Sequence, residues 1–418
     1  MYLRMHESDQ PALHWLSQHR AWMEDRLLEL VSINSGSHNP VGVNRVGEYY
    51  AALFAERLEA AVDKYTLDPW QRVSMQGHII EQELGGLWRI RKRPDAPIRI
   101  LLTGHLDTVF GKDSAFQSAH YQDNNTLNAP GAADMKGGIL VMLSALEALE
   151  QHPDHHNIGW TVLLNPDEEI GSPGSSGWFA REAPRHHLGL VFEPALPDGN
   201  LAGERKGSGN FTLSINGRSA HAGRNPQEGR NAISAAAWAI SQLEQLNGAR
   251  EGLTLNTGII EGGTTTNQVP DTCVVKFNIR IQRPDDADWC LTQLENIQLS
   301  INQREGFSAS LHGSFGRMPK VMDDAHQSLY GLLKNCAGLL DLDLSWQPTG
   351  GCCDGNNLSS HGLPNIDTLG VRGGLIHSAD EFICLDSLTE RASLSALLLF
   401  QLARDGLPPG LTGREVTL

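Results

Sequence analysis

The stretch RILLTGHLDTV, from Arg99 to Val109, indicates the fold most directly. Its run of isoleucine and leucine predicts a buried strand, and the strand ends in a histidine and an aspartate one residue apart. Because side chains alternate along a strand, His105 and Asp107 are expected to share one face. Either this is a strand tip that meets solvent, or both side chains serve a ligand that needs an imidazole and a carboxylate.

The surrounding sequence alternates strands and helices. The segment DMKGGILVMLSALEALEQH (134–152) predicts a helix with an apolar stripe, and GWTVLLNPDEE (159–169) and LGLVFEP (188–194) predict two further buried strands. Such alternation is typical of an α/β fold with a mostly parallel sheet that helices flank on both faces.

The pattern changes at about Gly207. Alternating strands are predicted in GNFTLSINGRS (209–219), LTLNTGIIEGG (253–263), CVVKFNIRIQ (273–282) and SASLHGSF (308–315), with helices in RNAISAAAWAISQLEQL (230–246) and DADWCLTQLENIQLSINQ (286–303). This β-α-β-β-α-β order is the ferredoxin-like arrangement. We therefore predict a catalytic domain in two parts, residues 1–205 and 318–418, with an inserted lid and dimerisation domain at 206–317.

Composition excludes several classes of protein. The chain has 418 residues, of which 40% are hydrophobic, and its formal net charge is −16. A surface of this sign repels nucleic acid and anionic membranes, and no apolar run reaches the roughly 18 residues of a spanning helix. We expect neither a nucleic-acid nor a membrane partner.

The N-terminus and the cysteines favour a cytoplasmic location. The segment MYLRMHESDQPALHWL has no continuous apolar core of the secretory-signal type. The six cysteines are scattered, and Cys352 and Cys353 are adjacent, which does not suggest a disulfide framework.

Polar residues follow three of the predicted strands. In open α/β sheets, ligands bind at the carboxyl ends of strands, where this sequence places His105 with Asp107, Glu168 with Glu169, and Glu193. Asp134 lies in the Gly/Ala-rich turn before a helix, and His377 follows a glycine pair near the C-terminus.

Each of these residues also has an ordinary structural interpretation. An aspartate before a helix is usually a cap, a glutamate pair after a strand is usually a solvated loop, and a lone histidine is usually structural. Together, however, clustered carboxylates repel one another unless cations compensate them. Histidines and carboxylates without a required thiolate suit zinc first, and manganese or cobalt next.

The motifs GHLDTV, GAADMKGG, NPDEEIGS, FEP, GRSAHAG and GGLIHSADEF occur in an order that resembles the zinc aminoacylase–carboxypeptidase family. That family includes glutamate carboxypeptidase, acetylornithine deacetylase, succinyl-diaminopimelate desuccinylase and aminoacylase. The glutamate at Glu193 and the motif GRSAHAG are most similar to the glutamate carboxypeptidase branch.

The resemblance implies two zinc ions per chain, with cobalt or manganese as substitutes. Asp134 would bridge the ions; His105 and Glu193 would complete one ligand set, and Glu169 and His377 the other. Glu168 would be the general base toward a bridging water, with Asp167 as the alternative, and Asp107 would orient the imidazole of His105.

The resemblance also assigns roles within the inserted domain. His221 would stabilise the oxyanion in the partner subunit of a homodimer, and Asn267 and Arg280 would bind substrate. A surface histidine and a solvated strand face are the alternatives. The two cysteines depart from the family pattern in TGGCCDGNNLS (349–359), where we expect a structural role, with Asp354 bonded to nearby backbone or near His377.

The sequence thus predicts a metal-dependent hydrolase that cleaves the amide bond of an N-acyl amino acid or a C-terminal amino acid. Its partner would be such a small molecule or a short peptide. A biosynthetic deacetylase or desuccinylase is the alternative within the class, and a catalytically silent metal-binding protein of the same fold is the alternative outside it.

Overall fold

The computed structural model describes residues 5–412 and Val416 of the 418-residue chain. The described residues form ten α-helices: α1 (Gln10–Ser17), α2 (Arg20–Val31), α3 (Pro40–Leu58), α4 (Gly137–Gln151), α5 (Ser176–Glu182), α6 (Ala232–Glu244), α7 (Asp285–Asn302), α8 (Asp324–Leu339), α9 (Asp354–Ser360) and α10 (Ser387–Asp405). None of these helices has both the length and the apolar character needed to cross a membrane.

Eighteen strands accompany the helices in the described part of the chain. The first nine are β1 (Ala61–Tyr65), β2 (Trp70–Val73), β3 (Ile79–Gln82), β4 (Leu87–Lys92), β5 (Ile98–His105), β6 (His120–Tyr121), β7 (Thr126–Asn128), β8 (Ile158–Asn165) and β9 (Leu188–Val191). The others are β10 (Leu201–Arg205), β11 (Gly207–Asn216), β12 (Thr254–Gly262), β13 (Thr272–Ile281), β14 (Ser308–Arg317), β15 (Trp346–Thr349), β16 (Asn365–Ile366), β17 (Gly373–Gly374) and β18 (Phe382–Cys384).

The central sheet has six strands in the order β1-β4-β8-β5-β9-β16. Strand β5 is parallel to β8 and β9, and β9 is parallel to β16, whereas β4 is antiparallel to both β1 and β8. Every residue of β8 is buried, which explains why its sequence is continuously apolar rather than alternating. The predicted α/β class with a mostly parallel sheet is confirmed, with an antiparallel extension at one edge.

Helices α4 and α10 form the interior of the helical layer. Thirteen of the 15 residues of α4 and 14 of the 19 residues of α10 are buried, and both helices belong to the main hydrophobic core together with residues of β5 and β8. The Arg404 guanidinium in α10 donates to Asp9 Oδ1 at 2.7 Å, so the C-terminal helix is held against the first turn of the described chain.

A second unit contains β11, α6, β12, β13, α7 and β14, and we call it the lid. Its four strands have the order β12-β13-β11-β14, with α6 and α7 packed on one face around a separate core. The β-α-β-β-α-β order expected from the sequence is present, while the domain boundaries at 205/206 and 317/318 stay predictions.

The chain crosses between the two units at one place. Arg205 and Lys320 exchange two backbone hydrogen bonds, each 3.0 Å long, just before the chain enters the lid and just after it leaves. Both side chains also donate to buried Asp367, Arg205 Nε at 2.9 Å and Lys320 Nζ at 2.8 Å. The entry and exit of the lid are therefore fixed side by side.

Two local expectations differ from the structure. The helix predicted from Asp134 begins at Gly137, because Ala132–Lys136 form an irregular turn, so Asp134 is not a helix cap. The small residues of RNAISAAAWAISQLEQL (230–246) also suggest, from the sequence, a helix face for the partner subunit of a homodimer. In the structure they lie in the core of the lid; they are Ala232, Ala235, Ala236 and Ala239.

Candidate metal centre

The carboxyl ends of three neighbouring parallel strands meet at one edge of the central sheet. His105 is the last residue of β5, where it is in register with Asn165 at the end of β8. Glu168 and Glu169 follow β8, and Glu193 follows β9, which lies on the other side of β5. The parallel register therefore brings these side chains together, as expected from the strand order.

Two groups of possible metal ligands share one aspartate. His105, Asp134 and Glu193 form the first group, and the second contains Asp134, Glu169 and His377; within each group the donor atoms lie within 4.8 Å of one another. Oδ1 of Asp134 is 3.0 Å from His105 Nε2, and its Oδ2 is 3.3 Å from His377 Nε2. The two carboxylate oxygens thus face two different histidines, the arrangement that a bridging ligand needs.

Asp107 contacts both the imidazole of His105 and the turn that carries the two glutamates. The ring Nδ1 of His105 is 3.0 Å from the backbone carbonyl oxygen of Asp107 and 3.5 Å from its carboxylate. The carboxylate also accepts the backbone N–H groups of Glu168 and Glu169, at 3.1 and 3.2 Å, and the Ser37 hydroxyl at 2.7 Å. The carbonyl oxygen of Asp107 is the nearer group to the imidazole, its carboxylate also lies beside the ring, and the same carboxylate holds the glutamate turn. The role of Asp107 in orienting His105 stays a prediction.

Glu381 supports the turn that carries Asp134. Its carboxylate is fully buried and accepts three backbone N–H groups, from Gly131 at 3.2 Å, Ala133 at 2.9 Å and Asp134 at 3.1 Å. Sequence reasoning missed this residue, although its position four residues after His377 in HSADEF could have drawn attention to it.

Glu168 is buried and paired with an arginine that the sequence analysis did not single out. Arg317 Nη2 lies 2.7 Å from Glu168 Oε1 and donates to the Glu168 carbonyl oxygen at 2.9 Å. Arg317 is the last residue of lid strand β14, so the lid supplies the counter-charge of this glutamate. Nothing in its local sequence distinguishes it from an ordinary surface arginine.

Burial and mutual repulsion shift the proton affinities of the cluster. Burial and the neighbouring Asp134 carboxylate raise the pKa of Glu169 to about 7. Hydrogen bonds with Asp134 and Glu169 raise the pKa of His377 to about 11. Burial raises the pKa of Glu168 well above its usual range, against the opposing effect of Arg317. In the metal-free chain, the cluster therefore retains protons that a cation would displace.

The donor set fits divalent metal ions. It offers imidazole nitrogens and carboxylate oxygens, which zinc, manganese and cobalt accept. Glu169 Oε1 is also buried without a hydrogen-bond donor in the described part of the chain. His377 is 52% exposed, so one side of the second group is open to a ligand from solution.

Arg280 projects from the lid toward the cysteine loop. Its Nε donates to Asn278 Oδ1 at 2.9 Å, and its Nη1 lies 3.0 Å from Cys352 Sγ. The guanidinium therefore bridges the polar face of the lid and the loop before α9. Neither bond links Arg280 to the five ligand candidates, so its role in binding substrate stays a prediction.

His221 and Asn267 lie together at another part of the lid. The backbone N–H of Ala222 donates to the Asn267 carbonyl at 3.0 Å, and His221 Nδ1 accepts the N–H of Gly223 at 3.1 Å. With Nδ1 as the acceptor, Nε2 is the donor nitrogen of the ring, and no hydrogen bond among the described residues uses it. Across the described residues, no hydrogen bond or ion pair joins either side chain to the five ligand candidates.

Both cysteines of the loop before α9 make local hydrogen bonds. Cys353 Sγ accepts the Gly355 N–H at the start of α9, and Cys352 Sγ donates to the Lys206 carbonyl oxygen. Asp354 does not contact His377, contrary to one expectation. Its carboxylate instead accepts Ser172 Oγ at 2.6 Å and Asn165 Nδ2 at 2.8 Å, behind the glutamate turn.

Comparison with known sequences identifies the family. The profile of peptidase family M20/M25/M40 matches residues 101–401, most of the chain and all five ligand candidates. The chain belongs to this family. The predicted resemblance is thereby confirmed, and the chain is a hydrolase of a metal-dependent family.

Individual relatives agree with this assignment. The M20 chain is 26% identical to carboxypeptidase G2 of Pseudomonas sp. (strain RS-16) over 389 residues, which are 90% of this chain and 88% of that protein. It is 27% identical to succinyl-diaminopimelate desuccinylase of Stutzerimonas stutzeri (strain A1501) over 347 residues, 77% of this chain and 88% of that one.

Solved structures share the fold of this M20 chain. The M20 metallo-carboxypeptidase Sso-CP2 of Sulfolobus solfataricus aligns with a TM-score of 0.71 at 17% identity, covering 91% of this chain and 99% of that one. The aminopeptidase PepT of Bacillus cereus aligns at 0.69 and 21% identity, covering 92% and 99%. At such identities the likeness concerns the fold alone.

Proposed function

We propose that this M20 chain is a two-metal-ion hydrolase of the amide bond of an N-acyl amino acid or a C-terminal amino acid. The single observation that carries the proposal is the position of Asp134, whose two oxygens face the two histidines of separate ligand groups. His105 and Glu193 would hold one ion, and Glu169 and His377 the other. Zinc is the first candidate, with cobalt and manganese as substitutes.

The bound ions would lower the pKa of a water molecule and polarise the scissile carbonyl group. Glu168 is the proposed general base, which takes the proton of the attacking water and passes it to the leaving amine. The burial that raises its pKa favours accepting this proton, and Arg317 keeps its carboxylate in place.

Substrate recognition is proposed to depend on the lid. The Arg280 guanidinium can bind a carboxylate through two parallel hydrogen bonds, a geometry that lysine cannot reproduce. Substrates with a free α-carboxylate beside the scissile amide therefore suit this face of the lid. Asn267 and the Nε2 of His221 would add donors for the carboxylate or the developing oxyanion, with His221 acting across a homodimer.

The test separates metal binding from turnover. Glu168→Gln should keep its metal content and lose about 10²–10⁴-fold in rate, the usual contribution of a positioned acid–base group. Asp167→Asn is the comparison, since the Asp167 carboxylate accepts the Ser175 hydroxyl and the Gly174 N–H rather than facing the ligand groups. Elemental analysis and a panel of N-acyl amino acids with added zinc, manganese or cobalt give the two readouts.

Two results would contradict the proposal. If Glu168→Gln remains active while Asp167→Asn does not, the base is Asp167. If the wild-type protein binds metal but hydrolyses no member of the panel, including N-succinyl-diaminopimelate, the chain is a silent metal-binding protein. The ion identity and number, the dimer and the cytoplasmic location stay predictions.

A further inference from the structure

The hairpin formed by β2 and β3 rises from the edge of the sheet that carries the ligand groups. At its base, Leu67 belongs to a buried cluster with Leu87 and Phe179. Leu84 lies directly against Gly174, whose N–H donates to Asp167 at 2.6 Å. The base of the hairpin therefore stands beside the turn of Glu168 and Glu169.

The return strand of the hairpin contacts the other side of the same region. The Gln82 side chain contacts the ring of His38, the residue after Ser37, whose hydroxyl binds the Asp107 carboxylate. Both ends of the hairpin are thus attached to segments that position the proposed site.

The tip of the hairpin touches the lid. Residues 74–78 form a turn that is closed by a hydrogen bond of 2.8 Å from the Ser74 N–H to the His78 carbonyl oxygen. Lys276 Nζ in β13 donates to the Val73 carbonyl at 2.7 Å. Gly77 has a φ of +80°, and a Cβ there would lie 2.8 Å from Ser214 Oγ in β11. These contacts join the two units at a point away from the Arg205–Lys320 crossing.

The tip covers the same face of the lid that carries Arg280. On β13, Val274, Lys276, Asn278 and Arg280 alternate with residues of the lid core. Val274 is nevertheless 0% exposed, and its cross-strand neighbour Ser214 is also buried, although both point away from α6 and α7. The hairpin covers this half of the face. It does not cover the other half, which carries Asn278 and Arg280 and lies toward the proposed substrate cleft.

We propose that the β2–β3 hairpin is a specificity-determining wall that closes one side of the substrate cleft and restricts the enzyme to short substrates. The proposal rests on the proposed function. Because the hairpin spans from the sheet edge to the lid, a longer chain leaving the site on this side would collide with it. The substrate class is accordingly single N-acyl amino acids and dipeptides, rather than longer peptides.

The test compares substrates of increasing length that end in the same amino acid. Residues 69–82 are replaced by a short Gly–Ser linker, which keeps Leu67 and Leu84, and kcat/KM is measured for an N-acetyl amino acid, a dipeptide and a tetrapeptide. The wild type should prefer the short substrates, and the variant should raise the tetrapeptide-to-acetyl ratio by about tenfold or more, a typical effect of removing a steric barrier.

Point variants test the wall without deleting it. Gly77→Ala should displace the tip and raise the same ratio, whereas Gly248→Ala, at a φ of +74° with open space around it, is the matched control. Lys276→Met removes the hydrogen bond to the Val73 carbonyl and should loosen the hairpin. Tryptic cleavage after Arg72 should then be about 2–10-fold faster, the effect expected from the loss of one hydrogen bond, whereas Lys334→Met on α8 should leave its rate unchanged.

The outcomes distinguish this proposal from the proposed function. If the wild type cleaves the short substrates and the folded, metal-loaded variants keep the same tetrapeptide-to-acetyl ratio of kcat/KM, the wall is overturned and the proposed hydrolase function stands. A wild type that cleaves the tetrapeptide as well as the acetylated amino acid also overturns the wall. A wild type that cleaves neither these three substrates nor any member of the N-acyl amino acid panel overturns both proposals.

Discussion

At the scale of single residues, Glu381 is the clearest case of a side chain that acts through another. Its three accepted N–H groups belong to the turn of Asp134. Glu381→Ala should release that turn and lower zinc affinity by about 10–100-fold, the usual effect of losing a group that supports a ligand.

Competition with a chelator measures the zinc affinity of Glu381→Ala. Asp380→Ala is the matched control, because the neighbouring Asp380 side chain is exposed. Glu381→Gln should have a zinc affinity between those of the wild type and Glu381→Ala, because its amide oxygen still accepts a hydrogen bond whereas its NH₂ group faces an N–H donor. Equal zinc affinity in wild type and Glu381→Ala would contradict the role in positioning Asp134.

Arg280 gives a second prediction at this scale. If it binds the substrate carboxylate, Arg280→Lys should reduce the preference for a free acid over its α-amide by about 10–100-fold, which corresponds to about 1.5–3 kcal/mol. The measurement is kcat/KM for an N-acyl glutamate and its α-amide. Arg283→Lys, at an exposed position just beyond the strand, should keep the preference for the free acid. If Arg280→Lys also keeps the full preference, Arg280 does not bind the substrate carboxylate and is an ordinary residue of a solvated strand face.

The sequence allowed the ligand candidates to be predicted, because each follows a recognisable strand end or lies in a motif. Arg317 and Glu381 were missed for a physical reason. Arg317 meets Glu168 across 149 positions of sequence, and it is one of many arginines in the chain. A contact of this kind depends on how the lid meets the sheet, and local spacing carries no information about that.

At the scale of elements, the contact of α4 with the end of β9 matters for the site. A Cβ at Gly138 would lie closer than van der Waals contact to the Phe192 carbonyl oxygen, next to Glu193. Gly138→Ala should therefore displace Glu193 or the helix and lower the free energy of unfolding by about 1–3 kcal/mol, with weaker zinc binding.

Gly331→Ala on α8 is the control for the helix substitution. Gly331 has open space around its Cα, so alanine there should leave the protein unchanged or stabilise it by about 1 kcal/mol. Denaturant unfolding provides the free energies. If Gly138→Ala is as stable as Gly331→Ala and binds zinc normally, the close approach does not restrict the site.

Element types were predictable because the hydrophobic period differs between the units. The continuously apolar β8 and the alternating β13 have different burial patterns, and both follow from their sequences. The β2–β3 hairpin lay outside those predictions. Its sequence has no strong apolar period, and its position depends on contacts with the lid.

At the scale of the whole molecule, the exposed lid edge predicts a homodimer. Strand β12 is an edge strand, and Ile259 and Ile260 on it are 50% and 51% exposed. Ile260→Lys should weaken the dimer, whereas Leu299→Lys, at a 54% exposed position on α7, should not. Light scattering measures the mass of each protein.

Mixing inactive variants tests whether the dimer is functional. His221→Ala and Glu168→Gln should be inactive alone and partly active together, because a hybrid dimer contains one site with both residues. A wild-type protein that is monomeric and fully active would exclude this arrangement.

Stability of the whole protein should depend on metal and pH together. In the metal-free chain Glu169 has a pKa of about 7 and His377 a pKa of about 11, so both hold protons at pH 5 that a metal ion must displace. Metal binding therefore releases protons and strengthens as pH rises. The increase in Tm on adding zinc to chelator-treated protein should grow from pH 5 to pH 8; a constant increase would show that the ion binds elsewhere.

The lid is inserted into the other unit at the Arg205–Lys320 crossing, and this insertion has a consequence for biosynthesis. The lid is a continuous segment, whereas the central sheet needs β16 and the helical layer needs α10, both of which follow it in the chain. The contact between Arg404 and Asp9 spans 395 positions. A ribosome adding about 5–20 residues per second leaves the five strands that precede the lid without β16 and α10 for on the order of ten seconds or more. During that interval the apolar β5 and β8 lack their final cover, so nascent chains should need protection by chaperones until the last helix emerges.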